Sequence, residues 1–156
     1  MNITDLLDTE RVACNAEAGS KKRILQDLAA LLSAGIPLHT QNDIFDALVS
    51  RERLGSTGLG KGVAIPHGRM SSLTAPVCGF IKLDTPVDFD ASDGQPVDLI
   101  FALLVPEDST EEHLQVLSTI AEIFSNPAIC ASLRDCRSGQ CILEQLYQWE
   151  SQRISA

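Results

Sequence analysis

The sequence predicts an α/β fold in which a mixed β-sheet is flanked by helices on both faces, forming a single-domain sandwich over residues 1–156. Apolar residues recur at helical spacing in the first and last thirds of the chain, whereas the middle third contains the short, continuous apolar runs typical of strands. A chain of this length buries roughly 70% of its unfolded surface, which is enough for one stable core. No internal repeat or long linker divides it.

The first third predicts two amphipathic helices. Ser20 is a suitable N-cap for the first helix, and Thr40 followed by Asp43 resembles the capping-box start of the second. The second pattern continues to Arg51. Each helix has one apolar stripe, formed by Ile24, Leu25, Leu28, Leu31 and Leu32 in the first and by Ile44, Phe45, Leu48 and Val49 in the second.

The middle of the chain predicts three strands. Residues 63–65 form a short strand that we expect to stop at Pro66, because proline has no N–H to donate to a neighbouring strand. Residues 77–83 form a second strand, which the turn-forming pair 85–86 should end. Residues 97–105 are apolar almost throughout, which is typical of a fully buried central strand.

The last third predicts three helices. Ser109 and Glu112 have capping-box spacing, and Asn126 followed by Pro127 is a typical helix start. A final helix is expected over residues 139–149. The first of these three helices carries a clear apolar face, formed by Leu114, Leu117, Ala121 and Phe124.

Charge and composition exclude several classes of function. The chain has 21 acidic against 12 basic residues, a formal net charge of −9, which disfavours nucleic acids and anionic membrane surfaces as partners. Such a charge suits a partner with a positive surface. No apolar run approaches the roughly 20 residues of a membrane span, and the N-terminus does not resemble a secretory signal. We therefore expect a cytoplasmic protein without membrane insertion.

The five cysteines predict neither a disulfide framework nor a metal site. They show no CxxC spacing, so reduced thiols are the simplest interpretation. Cys130, Cys136 and Cys141 lie close together in sequence, but no histidine lies near them. We expect no metal and no cofactor.

His67 is the most conspicuous candidate for chemistry. It follows the predicted strand and Pro66, precedes the small Gly68, and comes after a glycine-rich segment at 55–62. Glycine allows close backbone approach and lets several N–H groups point at one anion. A neutral imidazole, with an ordinary pKa of about 6.5, is an available nucleophile at near-neutral pH. A half-buried structural histidine remains the alternative.

Two further residues are candidates to assist His67. His113 borders the apolar stripe of its helix, so it is expected near the sheet edge where His67 lies, although an ordinary surface position is also open. Arg51 flanks the buried face of the second helix. The alternative for Arg51 is a cation that complements the dipole at the end of that helix.

A family resemblance covers nearly the whole chain. Glu52, the pair Leu59–Gly60 and the run VAIPHG at 63–68 match the phosphohistidine signature of fructose/mannitol-type IIA components of the bacterial phosphotransferase system. The run RERLGSTGLGKGVAIPHGR most resembles the nitrogen-regulatory branch, IIA-Ntr. The similarity extends through ITDLL, SKKRILQDLAALL and VDLIFALLVPEDSTEEHLQVLSTIAEIF.

The resemblance implies a specific chemistry. His67 would accept a phosphoryl group at Nε2, as tele-phosphohistidine, from the phosphohistidine of an HPr-like carrier (NPr), with Arg51 and His113 beside it. The Arg51 guanidinium offers a fork of donors for phosphoryl oxygens, and His113 one further hydrogen bond. A supporting role, toward the phosphate or toward the loop beside it, is assigned to three small residues, Ser56, Thr57 and Gly68.

Three functions remain open at this point. The first is a stand-alone regulator, a phosphotransferase component whose phosphohistidine state controls its binding to targets such as potassium transporters or sensor kinases. The second is a sugar-specific IIA component that passes phosphate to the cysteine of a IIB domain. The third, a Cys–His hydrolase, is disfavoured because no cysteine follows a strand at the sharp turn into a helix.

Overall fold

The computed structural model describes residues 2–34, 36, 41–71, 73–108 and 110–155, with only the backbone described at 110, 112, 113 and 153–155. Two short 3-10 helices, Ile3–Asp5 and Thr9–Arg11, precede the first strand. The strands and α-helices then follow in the order β1 Val12–Ala16, α1 Lys21–Ser33, α2 Gln41–Glu52, β2 Gly58–Gly60, β3 Val63–Ala64, β4 His67–Met70, β5 Val77–Val87, β6 Val97–Pro106, α3 Thr110–Phe124, α4 Pro127–Asp135 and α5 Gly139–Ser155.

The strands form one mixed sheet around β6. Its order is β1-β5-β6-β3-β2, and β4 also pairs with β6. Strands β5 and β6 are antiparallel, whereas β3 and β4 both run parallel to β6. The predicted central strand is confirmed as β6, which has neighbours on both edges and is buried along most of its length because both faces of the sheet are covered.

Helices cover both faces of this sheet, as predicted. Alternate side chains of β6 point to opposite faces. One set, which includes Phe101, packs with α3, α4, α5 and the N-terminal segment. The other set, which includes Ile100, packs with α1 and α2. The predicted α/β sandwich is therefore confirmed.

Strands β3 and β4 act as one interrupted strand along β6. Val63 lies opposite Leu99 and His67 lies opposite Leu103, so the register is the same on both sides of the interruption. Pro66 has no N–H to donate, but its carbonyl accepts from Leu103 N at 3.0 Å. The prediction that the strand ends at Pro66 was therefore incomplete, because pairing resumes at the next residue.

Strands β5 and β1 also differ from the sequence analysis. The pair 85–86 lies within β5 and does not end it; the register shifts between Lys82 and Val87, so an irregularity of the strand accommodates the proline. Strand β1 was not predicted. Its sequence, VACNA, has few strand-forming residues, and it is held by parallel pairing with β5 at the edge of the sheet.

The helix starts agree with the predictions where they can be seen. Ser20 accepts a hydrogen bond from Arg23 N at 3.1 Å, and Asn126 accepts one from Ala128 N at 2.8 Å. The predicted caps Thr40 and Ser109, and the Glu112 side chain, lie outside the described residues.

The prediction of reduced thiols was wrong for two cysteines. Cys136 and Cys141 form a disulfide, with their Cα atoms 5.6 Å apart. The short turn between α4 and α5 brings them together, a proximity that their sequence spacing alone did not establish. Cys14, Cys78 and Cys130 are free thiols, and burial raises the pKa of Cys78 well above its ordinary value.

In the part of the chain that the structure describes, no single helix has the length and apolarity to cross a membrane. Segments 114–124 and 127–135 meet those criteria of length and composition only when taken together, with a bend of 78° between them.

Candidate functional site

His67 lies at the start of β4, beside a cleft between that strand and α2. Its neighbour Gly68 is buried, whereas the His67 side chain is only partly covered. Side chains alternate along β4, so His67 and Arg69 share the more exposed face of the strand. The cleft is lined by Ala47, Ser50, Arg51, Leu54, His67, Gly68 and Arg69.

The two ring nitrogens of His67 have different partners. Nδ1 lies 2.9 Å from the carbonyl oxygen of Ile65, and Nε2 lies 3.2 Å from Nε of Arg51. A carbonyl can only accept a hydrogen bond and a guanidinium N–H can only donate one. Nδ1 therefore carries the proton of the neutral ring, and the lone pair is on Nε2.

The surroundings of the ring favour its neutral form. Burial has the largest effect and lowers the pKa of His67 from its ordinary value, because the charged form loses hydration. The hydrogen bond to Ile65 has the opposite effect and raises the pKa, but not enough to cancel the effect of burial. The positive charges of Arg51 and Arg69 lower it, while the negative charge of Glu52 raises it. The net result is an imidazole that can act as a nucleophile through Nε2 at near-neutral pH.

Arg51 is held from two sides in the last turn of α2. Its Nη1 donates to the carbonyl of Gly55 at 3.0 Å, while its Nε donates to His67. A guanidinium has five N–H donors. These two bonds use only two of them, so the same side chain can also offer donors to an oxyanion in the cleft.

Ser56 and Thr57 lie in the loop that follows α2. The Ser56 hydroxyl donates to the carbonyl of Phe89 at 2.8 Å and accepts from Gly58 N at 3.0 Å. The Thr57 hydroxyl and N–H both donate to the carboxylate of Glu52. Both residues are thus engaged in holding the loop, which in turn contacts Arg51.

The glycines near the site allow close packing. A Cβ on Gly68 would lie 3.2 Å from the carbonyl oxygen of Ala47, so a glycine here lets α2 approach β4 closely. A Cβ on Gly58 would lie 2.7 Å from the Cβ of Ala91. The sequence suggested that Gly68 leaves room beside His67 and that the glycine-rich segment holds an anion. The structure gives both glycines a role in packing, and their support of an anion stays a prediction.

His113 lies in α3, and its side chain is outside the described residues. The helix itself packs on one face of the sheet, where Val116 and Ile120 belong to the same core cluster as Leu103. Leu103 is opposite His67 in the pairing of β4 with β6.

Glu52, which the sequence analysis named only as part of the family signature and gave no role, is a further feature of the site. It follows Arg51 directly and is buried, with its carboxylate on the loop. The signal was present in the spacing, because Ile44, Leu48 and Glu52 are four residues apart and share the buried face of α2. In the described part of the chain, no group of three or more His, Cys, Asp or Glu side chains is arranged to hold a metal ion.

Comparison with known proteins gives the family of this chain. Residues 5–149 match the family model described as "Phosphoenolpyruvate-dependent sugar phosphotransferase system, EIIA 2". The chain is 45% identical over 148 residues to a nitrogen regulatory protein from Pseudomonas aeruginosa, an alignment that covers 95% of this chain and 94% of that one.

Two further relatives agree. A nitrogen regulatory protein from Escherichia coli K12 is 42% identical over 149 residues, covering 95% of this chain and 88% of its own. The crystal structure of nitrogen regulatory protein IIA-Ntr from Neisseria meningitidis superposes with a TM-score of 0.88 at 44% identity, covering 92% of this chain and 98% of the other. This chain therefore belongs to the EIIA type 2 family of the phosphoenolpyruvate-dependent sugar phosphotransferase system.

Proposed function

We propose that this protein is a cytoplasmic phosphocarrier of the regulatory type. His67 accepts a phosphoryl group from the phosphohistidine of an HPr-like carrier such as NPr, and its phosphorylation state selects the partner proteins. The supporting observation is the pair of bonds on the imidazole, with Ile65 accepting from Nδ1 and Arg51 donating to Nε2. This pair leaves the lone pair at one nitrogen and places a cation beside it.

The transfer exchanges one N–P bond for another. The lone pair on Nε2 of His67 attacks the phosphorus, and the N–P bond of the donor breaks with its electron pair returning to the donor imidazole. Nδ1 keeps its proton throughout, bonded to Ile65. Arg51 releases Nε2 and donates to the phosphoryl oxygens, because its hydrogen bond to a negatively charged acceptor is stronger than its bond to a neutral ring. His113, by family resemblance, donates a further hydrogen bond to those oxygens.

The same site provides a basis for regulation. Leu54 lines the cleft with His67, and 83% of its surface is exposed, so it presents an apolar contact beside the nucleophile. Phosphorylation adds a charge of about −1.5 to −2 at that point. Burying such a charge against an apolar partner is unfavourable. The unphosphorylated form is therefore the one that binds its targets, with potassium transporters and sensor kinases as the first candidates.

The names of the relatives favour regulation over sugar uptake. The relatives compared above are called nitrogen regulatory proteins and are 42–45% identical to this chain. The alternative, a sugar-specific IIA component, makes a different prediction, because its phosphoryl group passes on to the cysteine of a IIB domain. Chasing the phosphorylated protein with a IIB domain separates the two functions.

Replacing His67 with glutamine should abolish phosphorylation. Wild-type protein incubated with enzyme I, an HPr-like carrier and phosphoenolpyruvate is expected to gain one phosphoryl group, seen by intact-mass measurement and lost in acid, as a phosphohistidine is. Glutamine replaces the imidazole with a neutral amide of similar length. The amide nitrogen is not nucleophilic, so no mass increase is expected for His67→Gln. Equal labelling of the variant and the wild type would disprove the assignment of His67.

A negative charge at position 67 should remove partners. In a pull-down of unphosphorylated protein, His67→Gln is expected to retain the bound targets and His67→Asp to lose them, because only the second places a carboxylate beside Leu54. Glutamine is one methylene longer than aspartate, so His67→Asn, which matches His67→Asp in size and lacks only its charge, is the matched control and is also expected to retain the targets. Retention of every target by His67→Asp would contradict regulation through charge at this site.

The rate of transfer to His67 should stay high down to a lower pH than is expected for an imidazole of ordinary pKa. Because the pKa of His67 is lowered, more than half of the rings are still neutral at pH 6.5, and the protonation that removes the lone pair has its midpoint below that pH. The initial rate between pH 5 and 8 should follow the titration of the ring C2–H in NMR spectra. A midpoint at or above the ordinary imidazole value would contradict this prediction.

Arg51→Lys should slow transfer strongly while preserving the charge. Lysine presents a compact point charge instead of a planar fork of donors. It therefore cannot keep the bond to Gly55 while it also donates to Nε2 or to a phosphoryl oxygen. We expect a loss of about 10²- to 10³-fold in rate, the usual effect of removing a positioned donor. Arg53→Lys is the matched control, since Arg53 is exposed one residue past α2. An equal effect of both variants would show that only general charge matters.

A further inference from the structure

A buried carboxylate lies behind the imidazole. Glu52 is the last residue of α2, and only 4% of its side chain is exposed. It accepts from the N–H of Thr57 at 3.2 Å and from the Thr57 hydroxyl, and it forms an ion pair with Lys21 Nζ at 2.8 Å. A buried charge with a cation and two hydrogen bonds is well compensated, so it can fix the groups around it.

One chain of hydrogen bonds leads from this carboxylate to the ring. The carbonyl of Thr57 accepts from Ile65 N at 3.0 Å, and the carbonyl of Ile65 faces Nδ1 of His67 at 2.9 Å. The position of Thr57 therefore determines where the Ile65 carbonyl lies, and that carbonyl determines the tautomer and orientation of His67.

A second chain leads to the other ring nitrogen. The Glu52–Thr57 contact closes the loop at 53–56, whose Gly55 carbonyl accepts from Arg51 Nη1 at 3.0 Å. The N–H of Gly55 in turn donates to the backbone carbonyl of Glu52 at 3.2 Å. Arg51 then donates to Nε2 of His67. Both nitrogens of the imidazole are thus connected to one carboxylate.

Lys21 extends the network to the start of α1. Its Nζ lies 4.7 Å from the centre of the Phe89 ring and 3.5 Å from the carboxylate of Asp90. The carbonyl of Phe89 accepts the Ser56 hydroxyl, so the same segment also holds the loop. The network therefore joins α1, the end of α2 and the loop before β2.

We propose that Glu52 is a positioning residue for phosphoryl transfer at His67, acting through Thr57 on the Ile65 carbonyl and on Arg51. This inference rests on the proposed function of His67 as the phosphoryl acceptor. Glu52 does not touch the reacting atoms. Its negative charge also raises the pKa of His67, opposing the effects of burial and of Arg51, so its removal has a signature at the ring itself.

The experiment compares Glu52→Gln with a matched control, Glu150→Gln. Glu150 is also buried, and it accepts from Ile3 N at 2.7 Å, Thr4 N at 3.0 Å and the Thr4 hydroxyl at 2.7 Å. It thus holds backbone and threonine groups just as Glu52 does, but it anchors the N-terminal segment to α5 on the other face of the sheet. Both variants should lower the urea midpoint of unfolding.

Only Glu52→Gln is expected to change the chemistry of His67. We expect transfer from the phosphorylated HPr-like carrier to slow by about 10- to 100-fold, since small misplacements of reacting groups have effects of this size. The NMR titration midpoint of His67 should fall, and the ring nitrogen shifts should show a larger fraction with the proton on Nε2. Thr57→Val, which keeps the carboxylate and removes the hydroxyl, should slow transfer with a smaller change in midpoint.

The outcomes separate this inference from the function it rests on. If wild-type protein accepts no phosphoryl group, the proposed function fails, and the nitrogen shifts and midpoint of unphosphorylated Glu52→Gln still test the positioning role. Unchanged shifts and midpoint in that variant, or a rate equal to that of Glu150→Gln, overturn the proposal. If Glu52→Gln does not fold, Thr57→Val decides by the same rate and nitrogen shifts.

Discussion

The hydrogen bond between Nδ1 of His67 and the carbonyl of Ile65 is the constraint on which the site depends. It fixes the tautomer, so the lone pair lies at Nε2, and it orients the ring toward Arg51. The N–H of Ile65 bonds the carbonyl of Thr57 and not β6, and the carbonyl of Ile65 faces the ring. Pro66 interrupts the pairing just after it, and β4 then resumes in register. The interruption between β3 and β4 thus provides the carbonyl that orients the imidazole.

The electrostatics of the site differ from those of the chain as a whole. The formal net charge is −9, yet the cleft beside His67 contains Arg51 and Arg69. Together with burial, these cations keep the ring neutral, while Glu52 limits how far the pKa falls. A neutral imidazole with cationic donors beside it suits the phosphoryl transfer proposed for this site, because the phosphoryl group is an anion. The net charge of the whole chain affects its solubility and its encounter with partners. The charges near the cleft affect the protonation of His67.

The predictions that succeeded rest on short-range signals. Helix spacing, the Ser20 cap and the continuous apolar run of β6 each depend on neighbours along the chain, and all appear in the fold. The candidates His67 and Arg51 were found from local context and resemblance. Their contact joins residues 16 positions apart, so its geometry came only from the packing of α2 on β4. Strand β1 was missed because its sequence is weak and pairing with β5 holds it.

The sequence by itself determined the periodicity of the helices and strands and the presence of one unusual histidine. The tertiary structure decided which ring nitrogen carries the proton, how β3 and β4 share one register, and that Cys136 lies next to Cys141. It also placed Glu52 between Lys21 and Thr57. The physical reason is the distance along the chain over which each kind of interaction acts. Periodicity and capping act within a few residues, whereas burial, ion pairs and hydrogen bonds between distant segments exist only once the layers have packed.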